Sequence, residues 1–414
     1  MDLPATDLRA DPNAPIPGPP EPWSGSEMPS RRGGPPYHMT EMIEAEPRLA
    51  ARILDRLVAA RSPARLASAL RVAASAGRPI VTVGCGTSEH GAQAVAEIVR
   101  EGLRESGLPW TPGVGGGPIP IQAFEASLVG GLGREGAVVI GVSHEGGTGA
   151  TNAALQRARD GLATTALITA ASSSPGAALA EIVLDTGELD QSWCHTVGYL
   201  SPIVAALAVA HELDGSSPDA PAVVTAIDAG LRPTLMETTE KVATTLAAAD
   251  RIVVIGSGAD RIAARELTLK IEEGTHRPAA MRDLETLLHG HLAGMDERTA
   301  VVLVLAVRDG RGPRLGRARQ ALAALREVGS PAAAILSADA AAGLATDLTP
   351  AGRIVVPEAP ALGSAAAALL STAVPLQLLT ERMARALGVD PDPIRRDDPR
   401  YLAAAAAAEA TLDA

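Results

Sequence analysis

The sequence contains very few aromatic residues and only two cysteines. Phe, Tyr and Trp together make up 2% of the 414 residues, so Ala, Val, Leu and Ile must fill the core. This composition is typical of parallel sheets covered by alanine-rich helices. Cys85 and Cys194 form no CxxC motif, and two thiols are too few for a disulfide framework.

Long apolar runs and basic blocks are also missing. The longest apolar runs fall short of the roughly 20 residues that span a bilayer. The N-terminus lacks the basic and apolar stretches of a signal peptide. The net charge is -12, and no basic block is long enough to follow a phosphate backbone. We therefore expect a cytoplasmic protein that binds neither a membrane nor nucleic acid.

The length of the chain predicts two domains, because 414 residues exceed a single typical core. Residues 1–36 are rich in Pro, Gly and acidic residues, which predicts a disordered or extended arm. The rest divides into a first lobe at 37–213, a connecting helical region at 214–248, a second lobe at 249–390 and a tail at 391–414. We expect this tail to close over the site.

Short apolar runs alternate with helical periodicity in both halves of the chain. Strands are predicted at 79–84, 137–142, 165–169, 251–255, 299–306 and 331–336. Helices are predicted at 40–60, 63–76, 89–105, up to 160, 196–213, 219–248, 260–274 and 363–387. This alternation predicts an α/β fold with parallel βαβ units and right-handed crossovers.

Two loops between a strand and the following helix are rich in Gly, Ser and Thr. They read Cys85-Gly86-Thr87-Ser88 and Ser143-His144-Glu145-Gly146-Gly147-Thr148. In an open parallel sheet, ligands bind beyond the carboxyl ends of the strands. A helix N-terminus there offers free N–H groups and the positive end of the helix dipole. One such loop could be ordinary helix capping, but two in adjacent βα units favour a ligand site.

The order and spacing of these loops resemble the sugar isomerase (SIS) family, which includes the isomerase domain of glutamine-fructose-6-phosphate aminotransferase. The resemblance runs from about residue 37 to residue 402. It includes Cys194-His195-Thr196-Val197-Gly198, Val374-Pro375-Leu376-Gln377-Leu378-Leu379 and Asp398-Pro399-Arg400-Tyr401-Leu402. It implies two SIS subdomains, each a flavodoxin-like, doubly wound parallel sheet of five strands flanked by helices. It also implies a homodimer with a shared active site.

The same resemblance places catalysis on Lys270-Ile271-Glu272-Glu273, which matches the family's Lys-x-x-Glu helix, with His289 sixteen residues after Glu273. It implies that Glu273 moves a proton between C1 and C2 of an open-chain sugar. His289, usually supplied by the neighbouring subunit, would assist ring opening. Such chemistry needs one base that reaches both carbons and a second group for the ring oxygen. Without the resemblance, Glu272 and Glu273 would be read as a charged helix face.

The substrate-binding candidates come from both loops and the Cys194 stretch. They are Cys85, Gly86, Thr87, Ser88, Ser143, His144, Glu145, Thr148, His195 and Thr196.

The chain departs from the family at its phosphate pocket. Glu145 replaces a phosphate-binding serine, and a carboxylate 4 Å from a phosphate costs about 4 kcal/mol at an effective dielectric near 20. His144 and His195 stand where relatives have small polar contacts. The lysines expected in the tail and in the Ser-Thr-Lys stretch are Ala404 and Val197.

Three interpretations of the altered pocket stay open. The substrate lacks a phosphate, and Glu145 binds its hydroxyls or an amine. Alternatively, Glu145 turns away and protonated histidines hold an anion. In the third, the weakest, a metal such as zinc binds His90, His144, Glu145 and His195. We otherwise expect neither a metal nor another cofactor.

We therefore expect an enzyme that isomerises a sugar or sugar phosphate through ring opening and C1–C2 proton transfer. Alternatives are an amino-sugar deaminase or fructosamine deglycase, and a non-catalytic sugar-phosphate-binding module or partner subunit. Loss of the tail lysine fits a module without catalysis. The presence of both Glu273 and His289 favours an enzyme.

Overall fold

The computed structural model describes residues 32–108, 117–128 and 133–410. The predicted arm at 1–36 lies largely outside the described residues. No helix within the described ranges is long and apolar enough to cross a membrane.

The first lobe is built on a five-stranded parallel sheet. Its strands are β1 (Ile80–Gly84), β2 (Pro118–Gln122), β3 (Val138–Val142), β4 (Thr164–Thr169) and β5 (Ile182–Asp185). The strand order is β2-β1-β3-β4-β5, and every pair is parallel. In this flavodoxin-like order the topological switch point lies between β1 and β3. The two Gly- and Ser-containing loops follow these two strands and therefore lie side by side.

The second lobe repeats this arrangement. Its strands are β6 (Arg251–Ile255), β7 (Ala279–Arg282), β8 (Thr299–Leu305), β9 (Ala332–Ser337) and β10 (Gly352–Val356). The order β10-β9-β8-β6-β7 is the same pattern read from the opposite edge, again with parallel pairs only. The prediction of two parallel five-stranded sheets flanked by helices is confirmed.

Helices cover the sheets and fill the space between the lobes. They are α1 (His38–Ala59), α2 (Ser62–Ser75), α3 (Thr87–Glu105), α4 (Ala123–Leu128), α5 (Gly149–Asp160), α6 (Val197–Asp214), α7 (Ala220–Asp228), α8 (Pro233–Ala247), α9 (Ala259–Thr275), α10 (Leu284–Leu287), α11 (Arg311–Glu327), α12 (Ala338–Ala342), α13 (Ser364–Leu387) and α14 (Pro399–Ala410). Alanine and leucine supply most of the helical core, as the low aromatic content requires.

The prediction of one helix at 219–248 is wrong, because the chain forms α7 and α8 with a short 3-10 turn between them. Pro233 starts α8, and proline cannot donate the hydrogen bond that a continuous helix needs there. Gly230 in the turn packs against α13, where an added Cβ would lie 2.5 Å from Val374 Cγ1. The break therefore fits the chain around the central helix.

The two lobes share a central core. Helix α13 is buried on all sides from Ser364 to Ala384, as expected of an apolar helix at the centre of a large protein. Glu101 of α3 accepts hydrogen bonds from Ser364 N at 2.6 Å and Ala365 N at 3.2 Å. A carboxylate from the first lobe thus caps the positive end of the second lobe's longest helix.

Candidate functional site

Helix α9 carries three charged residues along one face. Glu266, Lys270 and Glu273 are spaced at i, i+4 and i+7, which places them one above another. Lys270 Nζ lies 3.7 Å from Glu266 Oε1 and donates a hydrogen bond to the Glu273 carboxylate. The side chains of Glu266 and Lys270 are fully buried, whereas that of Glu273 is 22% exposed. We call these three residues the ladder of α9. Glu273 is the member of this ladder that a substrate can reach.

Burial and the buried lysine set the protonation of the ladder. Burial lowers the pKa of Lys270, but Glu273, Cys194 and Glu266 outweigh it, and the net pKa is raised. Lys270 is therefore a permanent cation. Burial raises the pKa of Glu273, and Lys270 offsets only part of that rise. A carboxylate whose pKa lies above the ordinary range is better suited to proton transfer near neutral pH.

The first loop reaches this ladder from the other lobe. Glu266 accepts a hydrogen bond from Thr87 Oγ1 at 3.3 Å and pairs with His90 Nδ1 at 2.6 Å. A further ion pair joins Arg265 and Glu89 at 2.8 Å. The N-terminus of α3 is thereby fixed against the face of α9 that carries Glu273.

The second loop brings two histidines together. His144 is buried, and its Nε2 accepts a hydrogen bond from Asp190 N at 3.0 Å. Its ring centroid lies 5.1 Å from that of His195. Burial lowers the pKa of His144 to about 4 and that of His195 well below its ordinary value. Both rings are therefore uncharged at neutral pH, which disfavours the interpretation with protonated histidines.

The segment before α6 links the second loop to the tail. Asp190 accepts hydrogen bonds from Thr196 N at 2.9 Å and Gly198 N at 2.7 Å, which caps α6. Trp193 N donates to Asp392 O at 3.1 Å. Arg396 of the tail stacks on Trp193, with Cζ 3.7 Å from the ring centroid. The segment thus lies between the second loop and the tail.

Gly274, next to Glu273, shows that three segments converge on α9. A Cβ at this position would lie 2.9 Å from Thr380 Cγ2, 3.4 Å from Pro391 Cβ and 3.5 Å from Cys194 Sγ. Helix α13, the tail and the Cys194 segment therefore pack directly beside Glu273. Together with α9, these three segments form the candidate site at the junction between the lobes.

Glu145 and Arg396 are two further charged groups near this junction. Within the described parts of the chain, neither side chain forms an ion pair or hydrogen bond. Burial raises the pKa of Glu145, and Arg396 partly offsets that rise. Arg396 also lies within electrostatic reach of Glu273. Arg396 therefore lies within electrostatic reach of both carboxylates.

Several predicted binding residues lie at the junction, but some have their polar groups occupied. Thr196 is fully buried, and its hydroxyl donates to Asp190 Oδ1 at 2.9 Å. Ser143 Oγ donates to Thr148 Oγ1 at 3.3 Å. Cys85 and Ser88 are half-buried in the first loop, and burial raises the pKa of the Cys85 thiol. Gly86 precedes α3 with φ at +57°, a value that favours glycine.

His289 is not in contact with Glu273 in the single chain. It follows α10, its side chain is 67% exposed, and its Nε2 lies 2.7 Å from Glu285 Oε1. Its assignment to ring opening stays a prediction.

The proposed metal ligands do not form one cluster. His144 and His195 face each other, but His90 pairs with Glu266. In the described residues, no three His, Cys, Asp or Glu side chains are arranged to hold a metal ion.

Sequence reasoning missed Glu266 and Arg396. Glu266 could have been found, because it lies at helical spacing from Lys270 and Glu273. Arg396 gave no local signal, since its position depends on how the tail packs on Trp193.

A protein-family model described as SIS domain matches residues 245–338. Comparison with curated proteins finds no match. The matched segment includes β6, the α9 ladder, β7 and β8.

Solved structures match the fold of nearly the whole chain. The C-terminal domain of glucosamine-fructose-6-phosphate aminotransferase from Francisella tularensis has a TM-score of 0.72 at 17% identity, covering 88% of this chain and 100% of that one. Tagatose-6-phosphate ketose/aldose isomerase from Escherichia coli has a TM-score of 0.69 at 18% identity, covering 89% and 97%. Glucosamine-6-phosphate deaminase from Thermotoga maritima has a TM-score of 0.57 at 18% identity, covering 76% and 88%.

Proposed function

We propose that the chain isomerises a sugar derivative, because residues 245–338 match a family model described as SIS domain and the chain has the fold of solved proteins that include a ketose/aldose isomerase. The reaction moves a proton between C1 and C2 of the open-chain form. The observation that supports this most is the partly exposed Glu273 carboxylate, fixed at the junction between the lobes by a fully buried lysine.

In the proposed reaction Glu273 is the catalytic base. Its carboxylate removes the proton from C2 of an aldose, the C–H electrons form the C1–C2 double bond of an enediol, and the C1 carbonyl oxygen takes a proton from solvent. Glu273 then returns its proton to C1 as the carbonyl re-forms at C2 and the C2 hydroxyl releases its proton to solvent. One base serves both carbons, so no external oxidant or reductant is needed.

Lys270 is a positioning residue in this scheme. It is fully buried and lies behind Glu273, so it does not reach the substrate itself. Its bond to the Glu273 carboxylate fixes the rotamer of the base, and Glu266 and His90 fix Lys270 in turn. Such support keeps a reacting group in the productive geometry.

Exchange of substrate protons with solvent tests this function. The full-length protein would be incubated in D2O with glucose, glucosamine, glucose 6-phosphate and glucosamine 6-phosphate, and NMR would follow C1 and C2. The proposal expects deuterium at one of these carbons in at least one sugar, together with the isomerised product. Binding of a sugar without exchange or product would contradict it and favour the non-catalytic module.

Release of ammonia from an amino sugar is the second candidate function. The half-buried Glu145 carboxylate, which accepts no hydrogen bond from the described residues, favours it, because that group suits an amine better than a phosphate. Proton removal from C2 by Glu273 would give an enolamine, and return of the proton to C1 would give an iminium at C2. Water would then add to C2, and ammonia would leave as the C2 carbonyl of the ketose forms. An ammonia assay on the same reactions separates deamination from isomerisation.

We also propose that the protein works as a homodimer whose subunits share the site, with His289 of one chain assisting ring opening beside Glu273 of the other. The exposure of His289 supports this arrangement, because the ring is available to a second chain.

A further inference from the structure

We infer that the substrate of this site is an unphosphorylated amino sugar, whose ammonium group binds Glu145. The inference rests on the proposed function for the location of the site. It goes further because it states that the substrate group bound by the second loop is a cation.

The second loop presents a carboxylate where an anion would have to bind. Glu145 is half-buried, no described residue donates a hydrogen bond to its side chain, and the nearby charge of Arg396 offsets the effect of burial only in part. Partial burial without a hydrogen bond is costly for a carboxylate. A substrate ammonium would offset that cost through a charge-assisted hydrogen bond, whereas a phosphate would add repulsion.

Among the neighbouring side chains, Arg396 compensates for this negative charge only in part. The buried rings of His144 and His195 are uncharged at neutral pH. Lys270 is already paired with Glu266 and Glu273. A phosphate beside Glu145 would therefore meet a carboxylate whose charge Arg396 offsets only in part.

In the second loop, hydrogen-bond donors that a phosphate would require also donate to oxygen atoms of the loop itself. Gly146 N donates to Ser143 O at 3.1 Å, and Ser143 Oγ donates to Thr148 Oγ1 at 3.3 Å. An added Cβ at Gly146 would lie 1.9 Å from Ser174 Oγ, so the loop is packed tightly in this conformation. Freeing these donors would require the loop to rearrange.

A buried donor beside Glu145 independently indicates a ligand. His144 Nε2 accepts from Asp190 N, so the ring proton resides on Nδ1. Nδ1 is buried and has no acceptor among the described atoms. Buried polar groups are nearly always hydrogen-bonded. A sugar hydroxyl can accept from Nδ1 while an ammonium on the same molecule donates to Glu145.

Calorimetric titration of the full-length protein tests this assignment with four probes: glucose, glucosamine, glucose 6-phosphate and glucuronate. Glucosamine is expected to bind tightest, about tenfold tighter than glucose, because it adds one charge-assisted hydrogen bond. Calorimetry detects binding whether or not the sugar is converted. Failure of the inference is therefore distinguishable from failure of the proposed isomerase activity.

The Glu145→Gln variant keeps the shape of the side chain and removes its charge. It should bind glucosamine and glucose with affinities within about twofold of each other, because neutral partners form weaker hydrogen bonds. Glu297→Gln, at an exposed position before β8, is the control and should keep the tenfold preference.

Three results would overturn the inference. They are tighter binding of glucose 6-phosphate or glucuronate than of glucosamine, no detectable binding of glucosamine at millimolar concentration, and an unchanged preference for glucosamine in Glu145→Gln.

Discussion

At the scale of single residues, the candidate site depends on charges that are buried together. Lys270 is fully buried between Glu266 and Glu273, and only Glu273 keeps partial access. A buried ion pair contributes little net stability, but removing one partner leaves an uncompensated charge. The same contacts therefore position the base and stabilise the core, so we expect a substitution in the ladder to affect both activity and stability.

Lys270→Met is expected to destabilise the fold by about 3 kcal/mol or more, because Glu266 would keep a buried charge without its cation. Activity should also fall, since Glu273 loses the bond that positions it. Urea unfolding and a turnover assay measure the two effects.

Lys241→Met is the matched control, because Lys241 pairs with Glu237 at the same spacing on an exposed helix face. It should change stability far less. Equal losses in the two variants would show that the buried ladder has no special energetic role.

Glu46 predicts how stability depends on pH. It is completely buried, accepts from Gln377 Nε2 at 2.8 Å, and burial raises its pKa from 4.5 to about 8. Between these values the folded state keeps the proton and the unfolded state releases it, so stability should fall as pH rises from 5 to 8. Asp190 and Asp260, whose pKa values burial raises to about 7, act in the same direction.

Glu46→Gln should reduce this loss of stability, since the amide cannot ionise. Urea unfolding at pH 5.5 and pH 8 compares the variant with the native chain. An identical pH dependence in both proteins would contradict the assignment to Glu46.

At the scale of helices and strands, the sequence predicted the central elements well and the edges poorly. The fully buried strands β1, β3 and β8 appear as continuous apolar runs, which is the pattern of a strand covered on both faces. Strand β2 was not predicted, because it has two prolines and is mostly exposed. Proline is tolerated at the edge of a sheet, so a strand there need not look like one in sequence.

The candidate site likewise contains residues that could be predicted from the sequence and residues that could not. Glu273 and both loops could be predicted, because they lie at the carboxyl ends of strands or on a helix with regular spacing. Arg396 and the packing around Gly274 could not, since both depend on how the tail and α13 pack on segments distant in sequence.

Gly274→Ala tests that packing. The new Cβ would lie 2.9 Å from Thr380 Cγ2, and overpacking of this kind typically costs about 1–3 kcal/mol. Thermal unfolding measures the loss. Gly316→Ala is the control, because nothing lies within 4 Å of its added Cβ in α11; it should stabilise the helix by up to about 1 kcal/mol.

Adding Thr380→Ser to Gly274→Ala should restore much of the lost stability, because it removes Cγ2 and keeps the hydroxyl that donates to Leu376 O. If the double variant recovers no stability, the contact with Thr380 Cγ2 is not the source of the strain.

At the scale of the whole molecule, the two lobes resemble each other in topology but contribute different groups. The first lobe supplies the loops and histidines, and the second supplies the base. Helix α13, capped by Glu101, holds the lobes together. Ligands commonly bind at such junctions, because convergent loops there can surround them.

The proposed sharing of the site predicts complementation between two inactive variants. Glu273→Gln and His289→Asn should each be inactive alone. After denaturation and refolding as an equal mixture, about a quarter of native activity should return, because half of the dimers contain one intact site of two. Size-exclusion chromatography would confirm that dimers form. If the mixture forms dimers but stays inactive, then either each site takes both residues from one chain or His289 has no role in the mechanism.

The central claim is that Glu273 moves the substrate proton, and deuterium exchange in matched variants tests it most directly. Glu273→Gln keeps the size of the side chain and should lower exchange at C1 and C2 by at least about a thousandfold, within the range that general base catalysis supplies. Glu272→Gln changes the exposed neighbour in the same way and should exchange at nearly the native rate. Equal exchange in the two variants, with substrate still bound, would contradict the account.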